Sequence, residues 1–303
     1  MQNLTLKQLR YFEALARHGH FGRAADACAI SQPALSMQIR DLETSLGAAL
    51  FERGGRQVRL TGFGDTISTR VRSILQQVDE IGELARVAGG ALAGRLRIGV
   101  IPTVAPYLLP AVLRRMAAAY PDLDIHVRET LTDRLIDELS DGQIDTAIVA
   151  LPVSEPAFDE FQLFTERFVL IRPADQATAP VPDAAGLQDS RLLLLEEGHC
   201  FRDQALAFCN VSPPRGHDGL DGSSLSTLVQ MVGAGLGITL IPDMAIAIET
   251  RSAAVSVARF AAPEPARTIG MIWRRTSPLA DQLAQVAEAV RDVATDRAQT
   301  AAP

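Results

Sequence analysis

Between Leu96 and Ala150 short apolar runs alternate with helix-patterned segments, and this alternation constrains the fold more than any other feature of the chain. Leu96-Arg97-Ile98-Gly99-Val100 reads as a strand, a helix is expected from about Val104 to Ala119, and Ile125-His126-Val127-Arg128-Glu129 reads as the next strand. A helix capped near Thr132-Asp133, with Leu135, Ile136 and Leu139 inward, ends at Gly142 before the strand Thr146-Ala147-Ile148-Val149-Ala150. Strand, helix, strand, helix, strand implies a parallel sheet with ligands at the strand ends. A second lobe opens near Phe168. It holds the run Leu192-Leu193-Leu194-Leu195, read as a buried strand, then a helix through Leu225, Leu228, Val229 and Val232 and the strand Gly237-Ile238-Thr239-Leu240-Ile241. Thr268-Ile269-Gly270-Met271-Ile272-Trp273 reads as a return strand. The last helix starts at Ser277-Pro278, with Leu279, Leu283, Val286 and Val290 turned towards the first lobe.

The first 64 residues follow another pattern. Thr5 can cap a helix whose apolar positions Leu6, Leu9, Phe12, Leu15 and Ala16 keep helical spacing up to Gly19. A short second helix, from Phe21 to about Cys28, buries Phe21, Ala24, Ala25 and Cys28. After a turn at Ala29-Ile30, Ser31 caps a third helix with Pro33 in its first turn, Leu35, Ile39, Leu42 and Leu46 inward, and Gly47 at its end. Gln32, Pro33, Ser36, Met37 and Arg40 remain outward. Amide, hydroxyl and guanidinium groups on one exposed helix are what a major-groove reader needs, while Pro and Met can touch a thymine methyl. Gly54-Gly55 reads as a hairpin turn between strands bearing Arg53, Arg56 and Arg59, a basic wing for the phosphate backbone. The plainer alternative is a helical subdomain with an exposed arginine hairpin. Charge agrees with the DNA reading, because the net −7 resides in the body and the first ninety residues carry a slight basic excess.

From Ile67 the steps become heptad-like through Val71, Ile74, Val78, Ile81, Ala85 and Ala88, which indicates one long helix with a dimerisation seam. Two recognition helices held by such a dimer would meet successive major grooves, implying double-stranded DNA with an inverted-repeat site. The divisions expected are 1–64 for the DNA-binding head, 65–93 for the linker helix and hinge, and 94–303 for the body. Within the body the first lobe takes about 94–166 and 267–303, and the second about 167–266.

The chain has only three cysteines, and two lie in Glu196-Glu197-Gly198-His199-Cys200-Phe201-Arg202-Asp203-Gln204-Ala205-Leu206-Ala207-Phe208-Cys209. Phe201, Ala205, Phe208 and Cys209 recur with helical spacing, so Cys200 falls near a strand-to-helix junction. Nine residues of helix separate two Cα atoms by roughly 13 Å. A disulfide tolerates no more than about 7 Å. Two cysteines on one helix are therefore unbonded until that helix unwinds. A helix N-terminus and Arg202 both favour thiolate at Cys200. Against this stands the alternative of two packed core cysteines.

Several classes are excluded. No window approaches the ~18 apolar residues of a membrane span, and Met1 to Arg10 lacks the pattern of a secretory signal, so a cytoplasmic protein is expected. There is no phosphate-cradling G-x-x-x-x-G-K, no metal-ligand spacing and no Ser/His/Asp set that the sequence could bring together. His18, His20 and His126 are expected to be solvated or packed. Neither an enzyme, nor a cofactor, nor a metal is expected.

The head resembles that of the LysR-type transcriptional regulators. The matching pieces are Phe21-Gly22-Arg23-Ala24-Ala25, Ser31-Gln32-Pro33-Ala34-Leu35-Ser36, Ile39-Arg40-Asp41-Leu42-Glu43, Leu46-Gly47, Leu50-Phe51-Glu52-Arg53 and Leu60-Thr61-Gly62-Phe63-Gly64. The resemblance implies an α/β architecture: a winged helix-turn-helix, a long linker helix, and a two-lobed body like a periplasmic binding protein. It marks Gln32, Pro33, Ser36 and Arg53 as DNA contacts; Met37 lies where many members carry a polar or basic base-reader. It also implies a homodimer through the linker helix, assembly to a tetramer, and action as an activator through RNA polymerase.

Gly198-His199-Cys200-Phe201-Arg202-Asp203-Gln204-Ala205 with Phe208-Cys209 is similar to the peroxide-sensing members of that family. So are Ile101-Pro102-Thr103-Val104-Ala105-Pro106-Tyr107-Leu108-Leu109-Pro110 and Arg267-Thr268-Ile269-Gly270. This likeness implies that Cys200 is oxidised by hydrogen peroxide to sulfenic acid and resolved by Cys209 as a disulfide, altering transcription of antioxidant genes. It marks Thr103, Thr132, His199, Arg202 and Asp203 as the peroxide-holding set. The run from His217 to Leu228 departs from the family's usual one, and Val211-Ser212-Pro213-Pro214-Arg215-Gly216 before it is rich in loop formers. Two other readings stay open: a LysR-type regulator with a small organic effector in the interlobe cleft, and a dithiol peroxidase.

Overall fold

The computed structural model of the 303-residue chain describes residues 4–52, 58–87, 93–182, 186–187, 190–209 and 221–300. The chain divides into two compact units, Met1–Ala88 and Gly89–Pro303.

In the first unit α1 (Leu6–His18) starts from a reciprocal capping box, in which Thr5 Oγ1 accepts from the Gln8 amide and Gln8 Oε1 accepts from the Thr5 amide. α2 (Phe21–Ala27) is capped by His20, whose ring nitrogen accepts from the Gly22 amide at 3.0 Å. α3 (Gln32–Leu46) starts at Ser31, which accepts from the Ala34 amide. It stops at Gly47, whose φ of 70° is a left-handed conformation that costs glycine nothing. Phe12, Leu15, Ala24, Leu35, Leu42 and Leu50 are fully buried between the three helices, and the Phe12 and Phe51 rings pack 5.5 Å apart. The small Ala24 and Ala25 let α2 approach its neighbours closely. At the base of the wing Phe51 bridges Leu60 in antiparallel fashion, and the Glu52 amide donates to the Arg59 carbonyl at 2.9 Å. The Gly54-Gly55 turn, Arg53 and Arg56 lie outside the described residues.

α4 (Gly62–Val87) runs for 26 residues. Its apolar stripe divides. Val71 is buried, and Ile67 and Leu75 pack on the head's own core. Ile74, one residue before Leu75, and Ile81, two turns further on, are 42% and 66% exposed. Among the described residues nothing covers Ile81.

The second unit is a seven-stranded arrangement in the order β2-β1-β3-β7-β4-β5, with β6 paired to β4. β1 (Gly94–Val100), β2 (Leu123–Glu129) and β3 (Thr146–Leu151) are parallel, joined by α5 (Ala105–Ala119) and α6 (Thr132–Ser140). β7 (Ala266–Arg274) returns antiparallel to β3. The parallel expectation thus holds for three strands, and the sheet is mixed.

A larger correction is β4 (Phe158–Pro173), whose first ten residues carry no strand pattern in the sequence. They pair with β7, and the last six pair with β5 (Thr239–Pro242) and β6 (Val255–Ala258). Apolar alternation fails there for two reasons: a bulge shifts the register between Gln162 and Phe164, and an inward position is the buried Glu166. The expected strand 192–195 forms only single bridges, Leu192 to Ile238 and Leu195 to Gly222, although Leu193, Leu194 and Leu195 are buried as expected.

α7 (Cys200–Cys209), α8 (Leu225–Gly233) and the short α9 (Ile246–Glu249) complete the second lobe. The last helix, α10 (Ala280–Thr300), packs on α5, β4 and β7 through Leu283, Val286, Ala287 and Val290. Tyr107 of α5 donates to Glu249 of α9 at 2.6 Å, and Ser226 of α8 donates to the other carboxylate oxygen at 2.6 Å. Among the described residues no helix is long and apolar enough to cross a membrane.

Candidate functional site

Cys200 begins α7 as a free, half-buried thiol. The helix is fixed by its apolar side: Phe201, Ala205 and Leu206 are buried, and Phe201 meets Phe168 edge-on at 4.8 Å. Gly198 shapes the approach. Its φ of 92° suits only glycine, and a Cβ there would come within 3.0 Å of Leu131 Cδ1. Cys209 is the last residue of the same helix, so helix geometry holds the two Cα atoms roughly 13 Å apart.

The thiol borders two spaces. The inner one, lined by Thr103, Leu131, Thr132, Gly198, His199 and Phe201, has no room for a free water molecule. The outer one is an open cleft of about 660 Å³, and Thr132, Asp133, Thr165, Asp203, Gln204, Arg267 and Thr268 are its polar lining. Cys200 and Thr132 border both, so the open approach to the sulfur is through the cleft.

Five polar groups define the chemistry. Thr103 is buried, and its Oγ1 and carbonyl accept from Arg267 at 2.9 and 3.1 Å. Because the hydroxyl oxygen accepts from arginine, its own proton is left to donate elsewhere. Arg267 in turn pairs with Glu166 at 2.7 Å and lies 5.1 Å over the Phe201 ring. Burial pushes the Glu166 carboxyl pKa up, and the arginine pulls it back. Thr132 is the first residue of α6; the cap is Leu131, not Thr132 or Asp133, and it makes no side-chain cap bond. Thr132 Oγ1 is buried without a hydrogen-bond partner among the described residues, and so is Gln204 Oε1. Two buried polar atoms without partners, one able to donate and one able only to accept, thus lie on residues that line the same cleft as the free thiol.

His199 is half-buried, and desolvation lowers its pKa from the ordinary 6.5 against a smaller opposing effect of Glu196. The neutral ring therefore predominates at pH 7. Asp203 is exposed on the cleft. Arg202 differs from expectation: it borders neither space, and its guanidinium is buried on the Leu195 carbonyl at 2.6 Å and the Asp221 carboxylate at 2.9 Å. Its role here is to hold the helix to the preceding chain. Gln204, Arg267 and Glu166 are site residues that sequence reading missed. Gln204 and Arg267 lie inside motifs quoted above, while Glu166 sits on the strand that went unseen.

In the other unit α2, the Ala29-Ile30 turn and α3 form the helix-turn-helix. On α3 Gln32, Pro33, Met37 and Arg40 are exposed, Met37 by 56%, and Ser36 is half-buried. These are the side chains that the sequence places on the outward face of the third helix.

Comparison with known proteins agrees for both units. Residues 6–65 match the family described as bacterial regulatory helix-turn-helix protein, lysR family, and residues 89–295 match the LysR substrate binding domain. The chain is 41% identical over 293 residues to the DNA-binding transcriptional dual regulator OxyR of Escherichia coli, covering 95% of each. It is 42% identical over 297 residues to a probable hydrogen peroxide-inducible genes activator of Streptomyces viridosporus, covering 96% of this chain and 95% of that one. Among solved structures, a full-length OxyR variant from Pseudomonas aeruginosa matches with a TM-score of 0.77 at 37% identity, over 96% of each chain. A hydrogen peroxide-bound OxyR mutant of Corynebacterium glutamicum matches with a TM-score of 0.66 at 37% identity, over 98% of this chain and 94% of that one.

Proposed function

The chain belongs to the LysR family of bacterial transcriptional regulators and to its OxyR branch, and we propose that it senses hydrogen peroxide through Cys200 and answers by changing its contacts with DNA. It is a regulator and not an enzyme. The observation that carries the reading is a free thiol at a helix start, beside buried Thr132 and Gln204 atoms that lack partners. Peroxide supplies what they lack: an O–H to donate to Gln204 Oε1 and oxygens to accept from Thr132.

The Cys200 sulfur, as thiolate, attacks one peroxide oxygen. The O–O bond breaks, sulfenic acid forms, and the departing hydroxide takes a proton to leave as water. The Cys209 sulfur then attacks the sulfenic sulfur, the S–S bond forms and a second water departs. Closing roughly 13 Å to below about 7 Å requires α7 to unwind, which ties the oxidation to a change of shape. Thr103 and His199 complete the peroxide-holding set from behind the thiol, where the wall is closed, and Asp203 completes it from the cleft. Arg202 acts by anchoring the helix that must be released.

DNA contact falls to Gln32, Pro33, Ser36, Met37 and Arg40 on α3, with Arg53 and Arg56 from the wing on the phosphates. The exposed part of the α4 stripe serves a homodimer on an inverted repeat, two dimers form the tetramer, and the oxidised form engages RNA polymerase as an activator. Non-reducing peptide mapping after mild peroxide treatment is expected to join Cys200 to Cys209. A Cys200→Ser variant is expected to lose the oxidised footprint. A footprint that still shifts under peroxide in that variant, or that shifts with a metabolite and no thiol chemistry, overturns the reading.

A further inference from the structure

We propose that this regulator also takes small neutral alkyl hydroperoxides as oxidants, with the organic group lodged in the outer cleft. The inference rests on the peroxide reading above and concerns the oxidants that the same thiol admits. Cys200 and Thr132 border the tight inner space and the roughly 660 Å³ cleft together, so the sulfur is reached from a cavity far larger than hydrogen peroxide needs. The cleft wall beyond the polar groups is apolar: Ile136, Leu151, Pro152, Val153 and Ala266. A cavity of this size and lining is suited to an organic guest of several carbon atoms.

Hydrogen-bonding capacity points the same way. Thr132 has a proton to give and Gln204 Oε1 can only accept. One O–H and one acceptor oxygen satisfy both, and an alkyl hydroperoxide has both. A second O–H, which distinguishes hydrogen peroxide, is not required by either atom. Charge selects for neutral guests. The guanidinium of Arg267 is already paired with Glu166, and the exposed Asp133 and Asp203 carboxylates on the cleft lining repel anions.

In the reaction the Cys200 thiolate attacks the terminal oxygen of R–O–OH. The O–O bond breaks, the sulfur becomes sulfenic acid, and the leaving alkoxide takes a proton from water to depart as the alcohol. The oxidant is the hydroperoxide itself. The second step, disulfide formation with loss of water, is unchanged.

The test follows oxidation of the reduced full-length protein by stopped flow, with hydrogen peroxide and with cumene hydroperoxide, in the unaltered chain and in Ile136→Trp and Ala266→Phe, which fill the cleft. Cumene hydroperoxide is expected to react within about tenfold of hydrogen peroxide, and each filled cleft to slow it by at least about tenfold while hydrogen peroxide stays within about twofold. Two variants on different elements guard against one that fails to fold, which circular dichroism reports. A cumene rate more than about tenfold below that of hydrogen peroxide, or a rate ratio that neither filling changes, overturns the inference and leaves the peroxide reading standing. An unreactive Cys200 towards both oxidants sinks the two together.

Discussion

Thr132 carries a cost that folding alone does not explain. A buried hydroxyl without a partner forfeits about 1–3 kcal/mol, so its replacement by the isosteric valine should leave stability unchanged or raise it. Thr132→Val is therefore expected to melt at or above the temperature of the parent while its Cys200 is oxidised more slowly by at least about tenfold. A variant that melts lower and reacts as fast would show the hydroxyl to be structural. Arg267 is the opposite case. Its removal strands Glu166 in the core, and Arg267→Met should cost about 3–5 kcal/mol by urea unfolding. The double change Arg267→Met with Glu166→Leu should recover most of that loss; no recovery would mean that the arginine acts through packing on Phe201 instead.

His199 gives a pH signature. Its folded pKa lies below the ordinary 6.5, so above that value both folded and unfolded chains carry it neutral and it costs nothing. As pH falls from 6.5 towards the folded midpoint the unfolded chain binds the proton first, and stability declines. An NMR titration of the His199 ring is expected to show a midpoint below 6.5; a midpoint at or above it contradicts the burial argument.

At the level of elements, α4 makes two predictions that pull apart. Ile81→Lys lies on the exposed stretch of the stripe and should abolish self-association in sedimentation experiments while shifting head stability by no more than about 0.5 kcal/mol. Val71→Ala lies on the buried stretch and should cost the head roughly 2 kcal/mol with the assembly intact. The whole stripe has one spacing, so the sequence could reveal the helix but not where its packing changes hands. Capped helices were legible for a related reason. Thr5, Ser31, Gly19 and Gly47 act within one turn of themselves, and local chemistry is visible locally. The Arg267–Glu166–Thr103 cluster was not legible, because its members come from three elements separated by 63 and by 101 or more positions, joined only by the sheet. Cys200 was legible as a cysteine at a helix start; the orphaned Gln204 oxygen on the same cleft is a matter of atoms, which no residue pattern records.

For the molecule as a whole, β4 is the feature with the longest reach. One strand pairs with β7 along its first part and with β5 and β6 along its last, so neither sheet of the body can lose it alone. The body should therefore unfold in a single cooperative transition, with the amides of residues 158–173 among the slowest to exchange in both halves. Early exchange confined to residues 168–173 would show the two lobes to be separable instead.

The consequence is a division of labour between durable and expendable structure. α7 is only ten residues long, so unravelling it gives up a local set of contacts: the burial of Phe201, Ala205 and Leu206, the Arg202 bond to Leu195, and an ion pair to a half-exposed Asp221 carboxylate. The strand that threads both lobes gives up one edge-on ring contact, Phe168 to Phe201, when α7 goes, and its pairing with β5, β6 and β7 does not depend on that helix. A molecule built this way can be rewritten at one short helix, returned by reduction and rewritten again, because the part that wears is never the part that bears the weight.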